Sequence, residues 1–210
     1  MNTKSYKLSA AHKAVISTVL FASSQSLMAA PVSTELDFLC PFPLIGEQTI
    51  IAKITADYPE ILELAPSDDS ARLNPVTVEA ITVVPDKARQ GLSFVDATTI
   101  TGVAHSMNTF HTTAGMISNN TDLTIESTTI PTDEIGPFNV PAQGVAPAQV
   151  FDNSHLGLVK LTVDDLIMDL KNLKIDGTVA PAPVGEFTAD CELVAGQDNV
   201  LTTFQVAYPG

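Results

Sequence analysis

Hydrophobic and polar residues alternate with period two over much of this chain, the signature of strands with one face buried and the other wet. Near the start, Leu36, Phe38 and Cys40 share one face, and Glu35 and Asp37 share the other. Late in the chain the alternation is cleaner. Phe187, Ala189, Cys191 and Leu193 point one way, and Thr188, Asp190 and Glu192 point the other. In between, Ile50, Ala52, Ile54, Ala56 and Tyr58 alternate with their neighbours until Pro59 ends the run. Val76, Val78 and Ala80 continue the pattern between Pro75 and Pro85, residues that fit at strand ends where no ladder donor is lost. Further strands are predicted over residues 94–107, 122–130, 157–163 and 199–207. Residues 164–177 carry two patterns. Leu166, Met168 and Leu170 alternate as in a strand. Leu166, Ile167, Leu170 and Leu173 also form a helical stripe, with Asp164 as a cap and Gly177 beyond it. The strand is the favoured reading. Residues 85–90 suggest a single helical turn, and residues 131–147, with four prolines and two glycines, read as an irregular loop across one end of the fold. Short strands divided by Gly, Pro, Asn and Asp clusters predict an all-β fold: a single antiparallel β-sandwich, immunoglobulin-like, over residues 30–210. No repeat of about 20 to 50 residues is visible, which excludes a solenoid.

The first 29 residues stand apart. Lys4, Lys7 and Lys13 precede or flank the apolar run Ala14 to Ala22, and the segment closes on Ser26-Leu27-Met28-Ala29-Ala30. This is the pattern of a secretory signal peptide, with cleavage expected after Ala29. The run is too short to span a bilayer, and no later stretch reaches the roughly 18 apolar residues a span needs. The whole chain has a net charge of −14, from 10 basic and 24 acidic residues. Removing the leader takes three lysines and no acid, leaving seven basic residues against 24 acidic ones and a charge of −17. Such an excess disfavours nucleic acid and anionic lipid as partners, since both require a basic surface. The expected location is outside the cytoplasm, in the periplasm or beyond the cell.

Cys40 and Cys191, the only two cysteines, both lie on apolar strand faces. In an oxidising compartment they are expected to form one buried disulfide fastening the opening strand to a late one. The competing reading, a redox-active or metal-binding pair, lacks a Cys-x-x-Cys spacing and a neighbouring histidine.

Cys40-Pro41-Phe42-Pro43-Leu44-Ile45-Gly46, followed by a strand that ends Asp57-Tyr58-Pro59, resembles the opening of an uncharacterised family of exported bacterial domains, notably actinobacterial ones. The close, Cys191-Glu192-Leu193-Val194-Ala195-Gly196-Gln197-Asp198 and then Leu201-Thr202-Thr203-Phe204, is similar as well. The resemblance runs from about Leu36 to Val206. It implies an all-β, disulfide-closed exported domain of unknown function and brings no reaction or catalytic residue with it. Some members of that family look like modules of longer, surface-attached proteins. Physically, both motifs read as architecture: Pro41 and Pro43 stiffen the exit from the bridge, and Gly46 and Gly196 allow turns.

Candidate chemistry is sparse. There is no Gly-x-Ser-x-Gly elbow, no Ser-x-x-Lys, no phosphate-binding glycine loop and no dinucleotide fingerprint. With His12 in the leader, the general bases on offer are His105, His111 and His155. The first two share a face but lie about 20 Å apart on an unbroken strand. A shared metal would require a bend near Asn108. Weak calcium candidates are Asp68 and Asp69 in a polar loop, Asp133 and Glu134 in the proline-rich segment, and Asp164 and Asp165 at a turn, none of them in a recognisable calcium loop. No other cofactor is expected. Tryptophan is absent, so a sugar-stacking platform would fall to Tyr58, Tyr208 or a phenylalanine. Asn119-Asn120-Thr121 is a weak glycosylation match. The expectation is a non-enzymatic exported protein acting by binding or assembly at the cell surface or in the extracellular matrix, through a partner of unknown identity. The alternative is a carrier of a small apolar ligand held between sheets that expose many small inward residues, such as Ala52, Ala56, Ala80 and Ala189. A hydrolase built on carboxylates is a third, weaker reading.

Overall fold

The structure, a computed structural model, describes residues 31–210. The leader assignment therefore lies outside the described residues. The strands are β1 (Val32–Phe42), β2 (Gly46–Ala56), β3 (Ile61–Glu63), β4 (Ser70–Leu73), β5 (Val76–Val84), β6 (Ala97–Thr112), β7 (Gly115–Ser118), β8 (Thr121–Thr129), β9 (Phe138–Ala146), β10 (Gln149–Asp152), β11 (Gly157–Lys174), β12 (Glu186–Leu193) and β13 (Val200–Ala207), with one helix, α1 (Asp86–Ser93).

The fold is all-β, but the expected open sandwich is corrected. Eight strands close into an antiparallel barrel in the order β11-β12-β1-β2-β5-β9-β8-β6, and β6 pairs back onto β11. Two contacts make the difference, and both are short. β8 meets β9 at three residue pairs, Leu123 to Ile125 against Gly144 to Ala142. β1 meets β12 at Phe38↔Leu193 and Leu39↔Glu192. These seams divide the barrel into two four-stranded halves, and nothing in the strand arrangement requires an immunoglobulin-like topology. Period-two patterning fixes which face of a strand is buried. It does not report whether the edges of two facing sheets find each other.

The β1–β12 seam ends where it does because Pro41 has no N–H to donate to the next rung. At that point a Cys40–Cys191 disulfide joins the two strands, its cysteines 151 positions apart in sequence and both side chains buried. On the other side of the two paired residues, Val194 N–H donates to the Asp37 carbonyl at 3.0 Å. Beyond it the side chain of Gln197 takes over. Its Oε1 accepts from Asp37 N–H at 2.9 Å and its Nε2 donates to Asp37 O at 2.6 Å. The amide thus imitates one more strand residue after β12 has stopped.

Small and branched apolar residues fill the lumen. Leu36, Phe38, Ile50, Ala52, Val140, Leu123, Ile125, Met168 and Ala189 are all 4 % exposed or less. These side chains pack the lumen closely, as expected for an eight-stranded barrel just wide enough for its own side chains. The outward positions are mostly polar, with Ile81, Met107 and Val145 as exposed exceptions.

The two longest strands, β6 and β11, pair with each other over almost their full length and run past the barrel. There β7 joins β6, β13 joins β11, and β3 adds to β13 in parallel. A two-stranded ribbon of β4 and β10 accompanies this extension. Phe110, Phe151 and Phe204 meet edge-to-face with ring centroids 5.5 to 6.1 Å apart and form a second core. Between the two cores β6 turns Ser106 and Asn108 inward. Asn108 is satisfied by the Ser106 hydroxyl and carbonyl and by Thr121 Oγ1.

Three further expectations change. Residues 131–147 are not all loop, because β9 occupies most of them. Pro141 is tolerated there because the pairing of β9 with β8 stops at Ala142. The helical turn at residues 85–90 is an eight-residue helix that closes one barrel end by burying Ala88, Arg89 and Leu92. Residues 164–174 are strand, as favoured, and continuous with 157–163. Asp164 and Asp165 sit at a β-bulge where the register against β6 slips by one, rather than at a turn.

Two outcomes are expected. Replacing both Cys40 and Cys191 by alanine lowers unfolding free energy by about 4–5 kcal/mol, the loop-closure entropy of so long a loop, in urea titration. Gln197→Ala costs about 1 kcal/mol and speeds amide hydrogen exchange at Asp37 and Val194, leaving the β6–β11 amides unaffected.

Candidate functional site

The clearest polar constellation lies on the outer wall of the barrel, across four adjacent strands. His105 on β6 bonds Asp122 of β8 through Nδ1 at 2.7 Å and Asp169 of β11 through Nε2 at 3.3 Å. Thr188 of β12 donates to the other oxygen of Asp169 at 2.5 Å. The row follows from register, since His105 and Asp122 are directly cross-strand partners. Asp122 raises the pKa of His105, partial burial opposes this, and Asp169 adds to the rise. Asp169 is held below the usual carboxylate range by the Thr188 hydroxyl and then by His105. Both ring nitrogens are engaged by carboxylates, and the Thr188 hydroxyl donates to Asp169. Among the described residues His105 therefore makes no hydrogen bond to a hydroxyl that it could activate. It works as an ion-pair ladder across the wall.

A second constellation sits at the β11 bulge. His111 Nε2 lies 3.0 Å from Thr162 Oγ1, and that hydroxyl donates to Asp164 Oδ1 at 2.8 Å. Thr109 donates to Asp164 Oδ2 at 2.6 Å. The residue types resemble a nucleophile, base and carboxylate, but the order is wrong for catalysis. The hydroxyl stands in the middle and gives its proton to the carboxylate, whereas a triad needs the imidazole between the two. Thr162 is also buried. The third histidine, His155, closes a capping box with Asp152 around a 3₁₀ turn and stacks edge-on against Phe151.

The structure does not bring the calcium candidates together. Asp68 and Asp69 lie in the turn before β4, where Asp69 accepts from Tyr208 at 3.0 Å. Asp133 and Glu134 are exposed in the β8–β9 connection, and Asp165 is exposed beside Asp164. Among the described residues no group of three His, Cys, Asp or Glu side chains is placed to hold a metal ion. His105 and His111 share one face of an unbent strand, with Asn108 locked inside. Of the aromatic candidates, Tyr58 is buried, which pushes its hydroxyl pKa up to about 12, so it offers no stacking surface. Tyr208 is part-exposed and tied to Asp69.

Both end motifs do structural work. Leu44 and Gly46 adopt left-handed backbone, with φ of 68° and 74°, in the tight β1–β2 turn. Gly196 (φ 89°) turns the chain so that Gln197 can reach Asp37. The sequence reading takes the closing motif as a turn at Gly196 and assigns Gln197 no role in the ladder. The spacing from Cys191 was the available signal.

The shift at His105 has a sign. Its folded pKa lies above 6.5, so its contribution to stability is fully present below that value and is lost as pH rises through the folded pKa. Unfolding free energies measured at about pH 5.5 and about pH 9 should differ more in the native protein than in His105→Gln, whose profile is flatter over that range.

Comparison with known proteins gives one match. A family model described as a family of unknown function, DUF6801, covers residues 37–202, which include both cysteines, both seams and the whole of the barrel apart from the first residues of β1. No curated protein and no solved structure matches the chain. With four-fifths of its length under that match, this chain belongs to the DUF6801 family of unknown function.

Proposed function

We propose that this protein is an exported, non-catalytic module that acts by binding or assembly at the cell surface or in the extracellular matrix. The observation that carries this reading is the filled lumen. With the barrel interior occupied by its own side chains from Leu36 to Met168, recognition falls to the outer wall and the loops. The alternative, a carrier of a small apolar ligand, would have to displace these side chains or use the outer wall. A mostly polar wall around an apolar interior is unlike a membrane-spanning barrel, which presents a continuous apolar band outward. No helix among the described residues is long and apolar enough to cross a membrane. Export is supported by the disulfide and by the leader-like pattern of the first 29 residues.

The test uses the secreted protein from its own host. Added to intact host cells or isolated matrix, it is expected to sediment with them. Failure to be retained, with or without calcium, overturns the surface role. Native mass spectrometry is expected to show the bare polypeptide, and a retained lipid mass would replace the proposal with the carrier reading.

A further inference from the structure

Four connections of the barrel lie at one end: the β1–β2 turn, the helical link from β5 to β6, the β8–β9 loop and the β11–β12 loop. Contacts between them fix their neighbourhood. Gly91 of α1 packs on Ile45 of the first turn. Arg89 of α1 donates to the carbonyls of Pro131 and Gly136 in the third connection, at 3.1 and 3.2 Å. Ser93, Asp96, Thr132, Lys174 and Ile175, from three of the connections, line one open cleft of about 540 Å³.

Each connection lifts one large apolar side chain into solvent. Leu44 is 75 % exposed, Phe94 87 %, Ile135 95 % and Ile175 92 %. Scattered exposed apolar residues are ordinary, but at least one protrudes from every connection of this end, and Ile175 and Ser93, the neighbour of Phe94, line the cleft; such a concentration marks an interaction surface. The carboxylates of the same connections select the occupant. Glu47, Asp96, Asp133, Glu134 and Asp176 are exposed there against Lys87 and Lys174, while Asp86 and Arg89 neutralise each other at 2.7 Å. Among the described residues the Asp96 side chain accepts no hydrogen bond and lies in the cleft. β1 begins and β13 ends at the opposite end of the molecule, so neither strand terminus obstructs this face.

We infer that this barrel end docks a basic, amphipathic segment of a partner protein, whose apolar side chains cover Leu44, Phe94, Ile135 and Ile175 and whose lysine or arginine enters the cleft towards Asp96. A second copy would bring the same acidic excess to the contact, and an anionic bilayer would be repelled by it. A cationic apolar segment satisfies both features together. The inference rests on the surface-binding reading above and names the site that would perform it.

The probe is a synthetic helix-forming Leu/Lys peptide titrated against the whole secreted protein. Leu44→Ser, Phe94→Ser, Ile135→Ser and Ile175→Ser combined are expected to weaken binding about tenfold or more, and Asp96→Asn to reduce its salt dependence. The tips are exposed, so the combined variant should keep the native circular dichroism and melting temperature. Glu126→Gln with Glu192→Gln, on the outer wall, should leave affinity unchanged. Equal affinity for the tip variant, or loss of affinity from the wall variant, overturns the site. So does tip-dependent binding of the native protein to phosphatidylcholine vesicles, or a tip-dependent dimer in sedimentation. The two proposals fail separately: if host cells retain the tip variant as well as the native protein, the surface role stands and this site falls, whereas if they retain neither, the surface role falls.

Discussion

The architecture depends on how the barrel is closed between β1 and β12. A barrel removes the sheet edges that would otherwise offer unpaired backbone to other chains, but only if every neighbouring pair of strands holds. Here the weakest pair has two paired residues, and proline ends the ladder at one side. The chain compensates with three unlike devices at the same place: a covalent bond at Cys40 and Cys191, the Val194 to Asp37 hydrogen bond, and the Gln197 amide that imitates a strand. Both of the motifs at the ends of the family match converge on this seam. That gives both segments a shared structural role.

Around that closure the molecule is organised by two strands that are too long for the barrel. β6 and β11 form its wall and then continue into the second core with Phe110, Phe151 and Phe204. Ser106, Asn108 and Thr121 sit at the crossing and hydrogen-bond to one another. A polar layer of this kind specifies register better than more apolar packing would, because any slip leaves its groups unpaired. The bulge at Asp164 has a similar effect on the other strand. It re-aims one residue without ending the strand, and Thr109 and Thr162 hold its carboxylate.

Much of this was legible in the sequence, for reasons that differ residue by residue. Leu36, Phe38 and Cys40, and Ala189 and Cys191, are buried on the faces their alternation assigns, and the two sulfurs meet. The same alternation is silent on edges, so a sandwich and a barrel made from these strands look identical until β8 is seen to touch β9. β9 was hidden by Pro141, whose usual meaning is a break. It survives as strand because its β8 neighbour has already splayed away. Asp164-Asp165 suggested a turn because two adjacent acids are rare inside a strand, and a bulge is the exception that accommodates them. Ile135 stands alone in a polar loop, and Phe94 and Ile175, read with the strands at 94–107 and 164–177, fall just outside β6 and β11. Only the topology that brings four loops to one end makes them a group. The histidines show the reverse. Their residue type suggested chemistry, but His105 and His111 meet residues of adjacent strands that register supplies, and His155 meets Asp152 within its own turn.

The position of the Cys40–Cys191 link also determines how the protein responds to tension along its chain. β1 begins and β13 ends on the same side, so a pull through both would peel away the segments before Cys40 and after Cys191 and then reach the sulfur bond. The chain between the cysteines, which are 151 positions apart, would carry none of that force. The greater part of the body, including the four-loop end, is thus shielded from mechanical extension by a covalent stop.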